Sequence, residues 1–88
     1  VKSSLNQRFI SDELVWQLRL SVHELNKRTD LAPGYLNQLL NKPFPVDVQL
    51  STIDTIWMAA MVRYAEIGVE PPDDLWERLV YHDLTDGV

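Results

Sequence analysis

The stretch Ser21 to Asn41 reads Ser-Val-His-Glu-Leu-Asn-Lys-Arg-Thr-Asp-Leu-Ala-Pro-Gly-Tyr-Leu-Asn-Gln-Leu-Leu-Asn, and it restricts the fold more than any other part of the chain. Its apolar residues fall where two short helices joined by a tight turn would need them. Leu25 faces inward from the first helix, Leu31 plugs the turn, and Leu36, Leu39 and Leu40 pack the second helix against the first. The turn is assigned to Thr29-Asp30, because Asp is among the few non-glycine residues that tolerate the left-handed conformation such a turn often demands. Two helices joined in this way leave the second one proud of the surface, where it can enter a major groove. The first partner to test is therefore double-stranded DNA.

Ser21, Leu25, Leu31 and the run Tyr35-Leu36-Asn37-Gln38-Leu39-Leu40-Asn41 resemble the helix-turn-helix of the Cro/C1-type, lambda-repressor-like family of phage and bacterial repressors. That family carries a Ser at the start of the first helix, a Leu four residues later and a Leu after the turn. A Tyr-Leu-x-x-Leu-x-Asn stretch follows in its recognition helix. The likeness covers 21–41 well, 11–57 loosely and the C-terminal third hardly at all. It implies a sequence-specific DNA-binding transcriptional regulator of repressor type. The residues assigned to DNA are Arg28, Pro33, Gly34, Asn37, Gln38, Asn41 and Lys42. Asn37 and Gln38 suit base edges, since their amides both donate and accept. Arg28, Asn41 and Lys42 suit phosphates, and Pro33-Gly34 would let the helix N-terminus approach one.

The sequence departs from that pattern at four places. Asn26 stands where Ala is usual and the helices approach closely, Asp30 replaces the turn Gly, and Val22 replaces a Gln that often touches phosphate. Pro33-Gly34 replaces a polar pair at the start of the recognition helix. Pro33 is expected at the first helical position, where a missing N–H costs nothing. Base reading is weakened by these changes.

With 88 residues and 45% hydrophobic content, the chain is expected to form one domain, 1–88, around a single core. The fold class expected is all-α: a compact bundle of about five helices without a convincing strand. Ser11-Asp12-Glu13 reads as an N-cap and acidic first turn opening a helix through Leu14, Val15 and Leu18, with a preceding turn placing Leu5 and Phe9 on one face. Lys42-Pro43-Phe44-Pro45 interrupts helical structure after the motif. Ser51-x-x-Asp54 resembles a capping arrangement for a helix that runs to about Ile67 and stops at Gly68. Pro71-Pro72-Asp73 recaps the chain into a last helix with Leu75, Trp76, Leu79 and Val80. Leu25, Leu31, Leu36, Leu39, Ile53, Ile56, Trp57 and Leu79 are assigned to one core.

The net charge of −5 opposes a generic nucleic-acid binder, but it is unevenly spread. Residues 1–45 carry six basic groups (Lys2, Arg8, Arg19, Lys27, Arg28, Lys42) against four acidic ones (Asp12, Glu13, Glu24, Asp30), a balance of +2. Residues 46–88, the acidic C-terminal helices, carry Arg63 and Arg78 against the remaining nine of 13 carboxylates, a balance of −7. The motif thus sits in a mildly basic half. The acidic half offers a homodimer face, a surface for a protein partner, or only solubility. Trp57, Met58, Met61 and Val62 spread apolar surface around more than one face of the long helix, and a dimer through it would suit a DNA reader.

Other function classes find little support. His23 and His82 match no metal-ligand spacing: His23 is read as solvated or as a phosphate contact, and His82 as a helix-end histidine. There is no nucleophile elbow and no glycine-rich phosphate loop, so an enzyme is not expected, nor a metal or other cofactor. The absence of Cys excludes disulfides and suits a reducing cytoplasm, where the chain is expected to work. No secretion signal and no membrane span are expected, the longest apolar run, Ile56 to Val62, being far shorter than the ~20 residues a bilayer requires. The alternative to a DNA reader is a helix-turn-helix-fold protein-interaction module, such as an antirepressor or a modulator of the transcription machinery.

Overall fold

Residues 2–81 are described by a computed structural model, and Leu5 is the point where the two ends of the described residues meet. Strand β1 (Lys2–Leu5) pairs antiparallel with β2 (Val46–Gln49), setting Ser3 opposite Val48 and Leu5 opposite Val46. Leu5 also bridges Val80 on its other side. The Asn6 N–H donates to the Leu79 carbonyl and the Tyr81 N–H to the Ser4 carbonyl, both at 2.8 Å. Across the pair, Ser4 Oγ donates to Asp47 Oδ1 at 2.9 Å. This small sheet corrects the expectation of a strand-free chain and makes the start of the 46–88 segment a strand.

The remaining elements are helical: α1 (Gln7–Phe9), a π-helical segment (Ile10–Gln17), α2 (Val22–Arg28), α3 (Tyr35–Leu40), α4 (Leu50–Ile67) and α5 (Leu75–Leu79). Because α1 runs directly into the π-helical segment, the described residues form a compact, mostly helical bundle of five helices with a two-stranded sheet. The first helix opens at Gln7 and not at Ser11, since Asn6 Oδ1 accepts the Phe9 N–H at 3.1 Å. The Leu18 N–H reaches the Glu13 carbonyl, five residues back, at 3.0 Å. This wider winding keeps Ile10, Leu14 and Leu18, spaced by four, on one buried face.

Helix α4 starts at Leu50 after Gln49, which makes no side-chain cap. Ser51 therefore lies inside the helix, where its carbonyl accepts from Thr55 Oγ1, and does not cap it. At the other end Gly68, at φ 71°, closes the helix as expected: the Val69 N–H bonds the Tyr64 carbonyl at 3.0 Å and the Gly68 N–H bonds that of Ala65. Helix α5 ends at Leu79, so Val80 belongs to the bridge with Leu5 and not to the helix. His82 lies outside the described residues.

One core joins all these elements. Leu25, Leu36, Leu39, Ile53, Ile56 and Leu79 are buried in it with Leu5, Ile10, Leu14 and Tyr64, while Leu31 and Trp57 pack against its edge, half-buried. No described helix is long and apolar enough to cross a membrane.

Candidate nucleic-acid interface

The geometry of α2 and α3 follows from short-range hydrogen bonds around one buried amide. Ser21 begins α2 as expected, its Oγ accepting the Glu24 N–H at 3.1 Å. Helix α2 ends at Thr29, whose Oγ1 donates to the Asn26 carbonyl at 2.8 Å, and Asp30 takes φ 61°, the left-handed conformation assigned to it. The buried side chain of Asn26 then spans the gap to α3. Its Nδ2 donates to the carbonyls of Leu31 (3.2 Å) and Ala32 (3.0 Å), and its Oδ1 accepts the Leu36 N–H at 2.8 Å. A larger residue at a position that resemblance gives to Ala is thus accommodated because each of its polar atoms is satisfied.

The entry to α3 differs from expectation. Pro33 is not its first residue. Ala32-Pro33-Gly34-Tyr35 forms a β-turn closed by the Tyr35 N–H on the Ala32 carbonyl at 3.0 Å. Gly34, at φ 78° and ψ −2°, occupies the third position of a type II turn, and Pro33 occupies the second, which it favours. A Cβ on Gly34 would meet nothing within 4 Å, so the requirement for Gly lies in its backbone angle alone. The far end of α3 is held by Gln7, buried, whose Nε2 donates to the carbonyls of Leu39 (2.7 Å) and Lys42 (3.0 Å). Sequence reading gave Gln7 no role. Standing between Asn6 and Arg8, it carries no local signal of burial.

Leu36 and Leu39 point into the core, Tyr35 and Leu40 flank it, and Asn37, Gln38 and Asn41 are exposed. Gly34 and Asn37 come together with Val22, His23 and Asn26 around a concavity of about 260 Å³ between α2 and α3. His23 thereby joins the candidate surface beside Asn37. Pro33 is exposed and does not line it.

The assigned phosphate ligands are dispersed. Lys42 is exposed, in a separate concavity with Arg8 and Asp12. Arg28 is committed elsewhere: its Nη1 lies 2.9 Å from Glu66 Oε1 and its Nε 3.4 Å from Glu24 Oε1. Glu66 also takes Arg63 at 3.3 Å, while Arg63 Nε donates to the Leu18 carbonyl at 2.9 Å. The hydrogen bond to Glu66 is the main cause holding the Arg28 guanidinium above its ordinary pKa, and the same bond holds the Glu66 carboxyl below its own. Arg28 thus ties α2 to α4. Lys27, Lys42 and Arg19 are exposed and make no ion pair among the described residues. Among the described residues no cluster of His, Asp or Glu could hold a metal ion.

Comparison with family models, with curated proteins and with solved structures found no match for this chain.

Proposed function

We propose that this chain is a small sequence-specific DNA-binding regulator of repressor type, in which α2 and α3 act as a helix-turn-helix and α3 enters the major groove. The observation that carries the reading is the exposed amides of Asn37 and Gln38 on α3 and of Asn41 at its C-cap, on a helix whose inner face and both ends are fastened to the domain. Amides that both donate and accept match the adenine edge, worth about 1–3 kcal/mol of discrimination per bidentate pair. Lys42 and Lys27, exposed and without ion pairs among the described residues, supply phosphate contacts in place of Arg28.

The outer face of α4 supports a homodimer. Met58 and Val62 are 56% and 54% exposed there, in line with the uncharged residues Ser51, Thr55 and Ala65 at helical spacing. A two-fold pair would set two α3 helices about 34 Å apart, one DNA turn. The protein-interaction reading draws on the net charge of −5 and on the engagement of Arg28 with Glu66. Titration of random duplex DNA at low and at moderate salt separates the two. A DNA reader binds and shows a steep salt slope, whereas an interaction module binds no duplex at either salt.

A further inference from the structure

Helices α4 and α5 hold between them a concavity of about 350 Å³ that shares no lining residue with the α2–α3 surface. Trp57 and Met61 enter it from α4, and Trp76 enters from α5. The two indoles meet edge to face, with ring centroids 6.2 Å apart and planes at 80°, and both are only half-buried. Pro71 and Pro72 form the wall between the helices, and the Leu75 N–H closes the turn on the Pro72 carbonyl at 3.2 Å. Proline fixes its own φ, so this wall is set before any ligand arrives.

The charge around the concavity has one sign. Glu70, Asp73 and Glu77 line it, all three are exposed, and none forms an ion pair among the described residues. No basic side chain lines it. Indole faces attract cations through the ring quadrupole. A guanidinium can lie flat on an indole while its N–H fork engages a carboxylate, and its methylene stem is at ease against Met and Pro. Residues 82–88 of this chain carry Asp83 and Asp86 and no Lys or Arg, so their charge does not complement the site.

We infer that this tryptophan pocket receives an arginine side chain from a basic segment of a partner protein. The inference does not depend on DNA binding. It gives the acidic half a recognition role of its own, through which a second protein could be brought to the one that carries α3.

The test uses the whole chain with Trp16→Phe, which removes the tryptophan that is 77% exposed and leaves emission to Trp57 and Trp76. A short peptide of arginines spaced by glycine is titrated against it, with a glutamate peptide of equal length as control. Saturable change in emission is expected with the arginine peptide alone. The triple variant Glu70→Gln, Asp73→Asn, Glu77→Gln is expected to weaken binding by about tenfold or more. The variant Asp12→Asn, Asp30→Asn, Asp54→Asn, which removes equal charge outside the pocket, is expected to change it by less than about twofold. All these positions are exposed, and far-UV spectra of both variants should match the parent. Equal losses in the two variants would reduce the effect to overall charge and overturn the inference. An emission that the arginine peptide leaves unchanged would also overturn it. So would a sedimentation coefficient that falls on introducing the pocket variant alone, because the occupant would then be a second copy of this chain.

Discussion

Asn26 Oδ1 accepts the backbone N–H of Leu36 at 2.8 Å, joining the middle of α2 to the first turn of α3. Helix starts leave N–H groups without intrahelical partners, and here one is satisfied from the neighbouring helix. Since Asn26 Nδ2 also holds the carbonyls of Leu31 and Ala32, a single side chain sets both the path of the turn and the seat of α3. The exposed amides of Asn37, Gln38 and Asn41 inherit their direction from that seat.

Asn26→Ala should therefore lower the unfolding free energy by about 1–3 kcal/mol for each backbone group left buried without a partner. Asn26→Asp should not rescue it, because a carboxylate would face the Leu31 and Ala32 carbonyls with no proton to donate. Urea denaturation of the two variants against the parent checks this, with a loss below about 0.5 kcal/mol showing that the clamp is dispensable.

Tyr64 gives the fold an alkaline limit. The residue is buried and its hydroxyl donates to Glu13 Oε1 at 3.1 Å; burial first, and the Glu13 hydrogen bond second, push its pKa from 10.0 up to about 12. A raised folded-state pKa means that the unfolded chain loses this proton first. The stabilisation is complete below pH 10.0 and is lost as pH rises towards about 12. Thermal unfolding followed from pH 9 to 12 should show a fall in Tm that is shallower in Tyr64→Phe. An identical slope in the two proteins would remove Tyr64 as its source.

Arg28 and Lys42 should part company under mutation. Arg28→Gln breaks the link from α2 to Glu66 on α4 and should lower stability by less than about 1 kcal/mol, as befits a largely solvent-screened pair, while leaving the salt slope of DNA binding in place. Lys42→Ala should weaken binding to all duplexes alike and reduce that slope by about one. Paired salt titrations of both variants make the comparison, and the reverse order would return Arg28 to the interface.

The association proposed for α4 is open to a direct change. Met58→Glu with Val62→Glu places charge on the exposed apolar stripe and should shift sedimentation to a single-chain species without loss of far-UV helicity. A parent protein that sediments as one chain at high micromolar concentration would dispose of the dimer.

Much of the bundle was legible because helical period and punctuation agree. Leu25, Leu36, Leu39, Ile53 and Ile56 lie in the core, and Asp30 and Gly68 take the left-handed angles their positions require. The two strands were not legible. Each is four residues long, too short for alternation to stand out, and Lys2–Leu5 acquires its pairing only from residues more than forty positions away. The start of the first helix was misplaced because Asn6 and Ser11 are both good caps, and only burial of Gln7 against the end of α3 chooses between them. At the candidate site, sequence identified which amides are exposed on α3 but could not see Glu66 waiting for Arg28 across the fold. Nor could it see that Pro33 and Gly34 belong to a turn.

The central claim is that α3 reads DNA, and the most direct measurement is the affinity of the chain and of Asn37→Ala and Gln38→Ala for duplexes selected from a random pool, at low and at moderate salt. The expected result is a selected sequence bound in preference to bulk duplex, with a steep salt slope. Each alanine should cost that sequence about 1–3 kcal/mol and relax the preference at one position. No duplex bound even at low salt, or a preference that both alanine variants retain in full, would contradict the account.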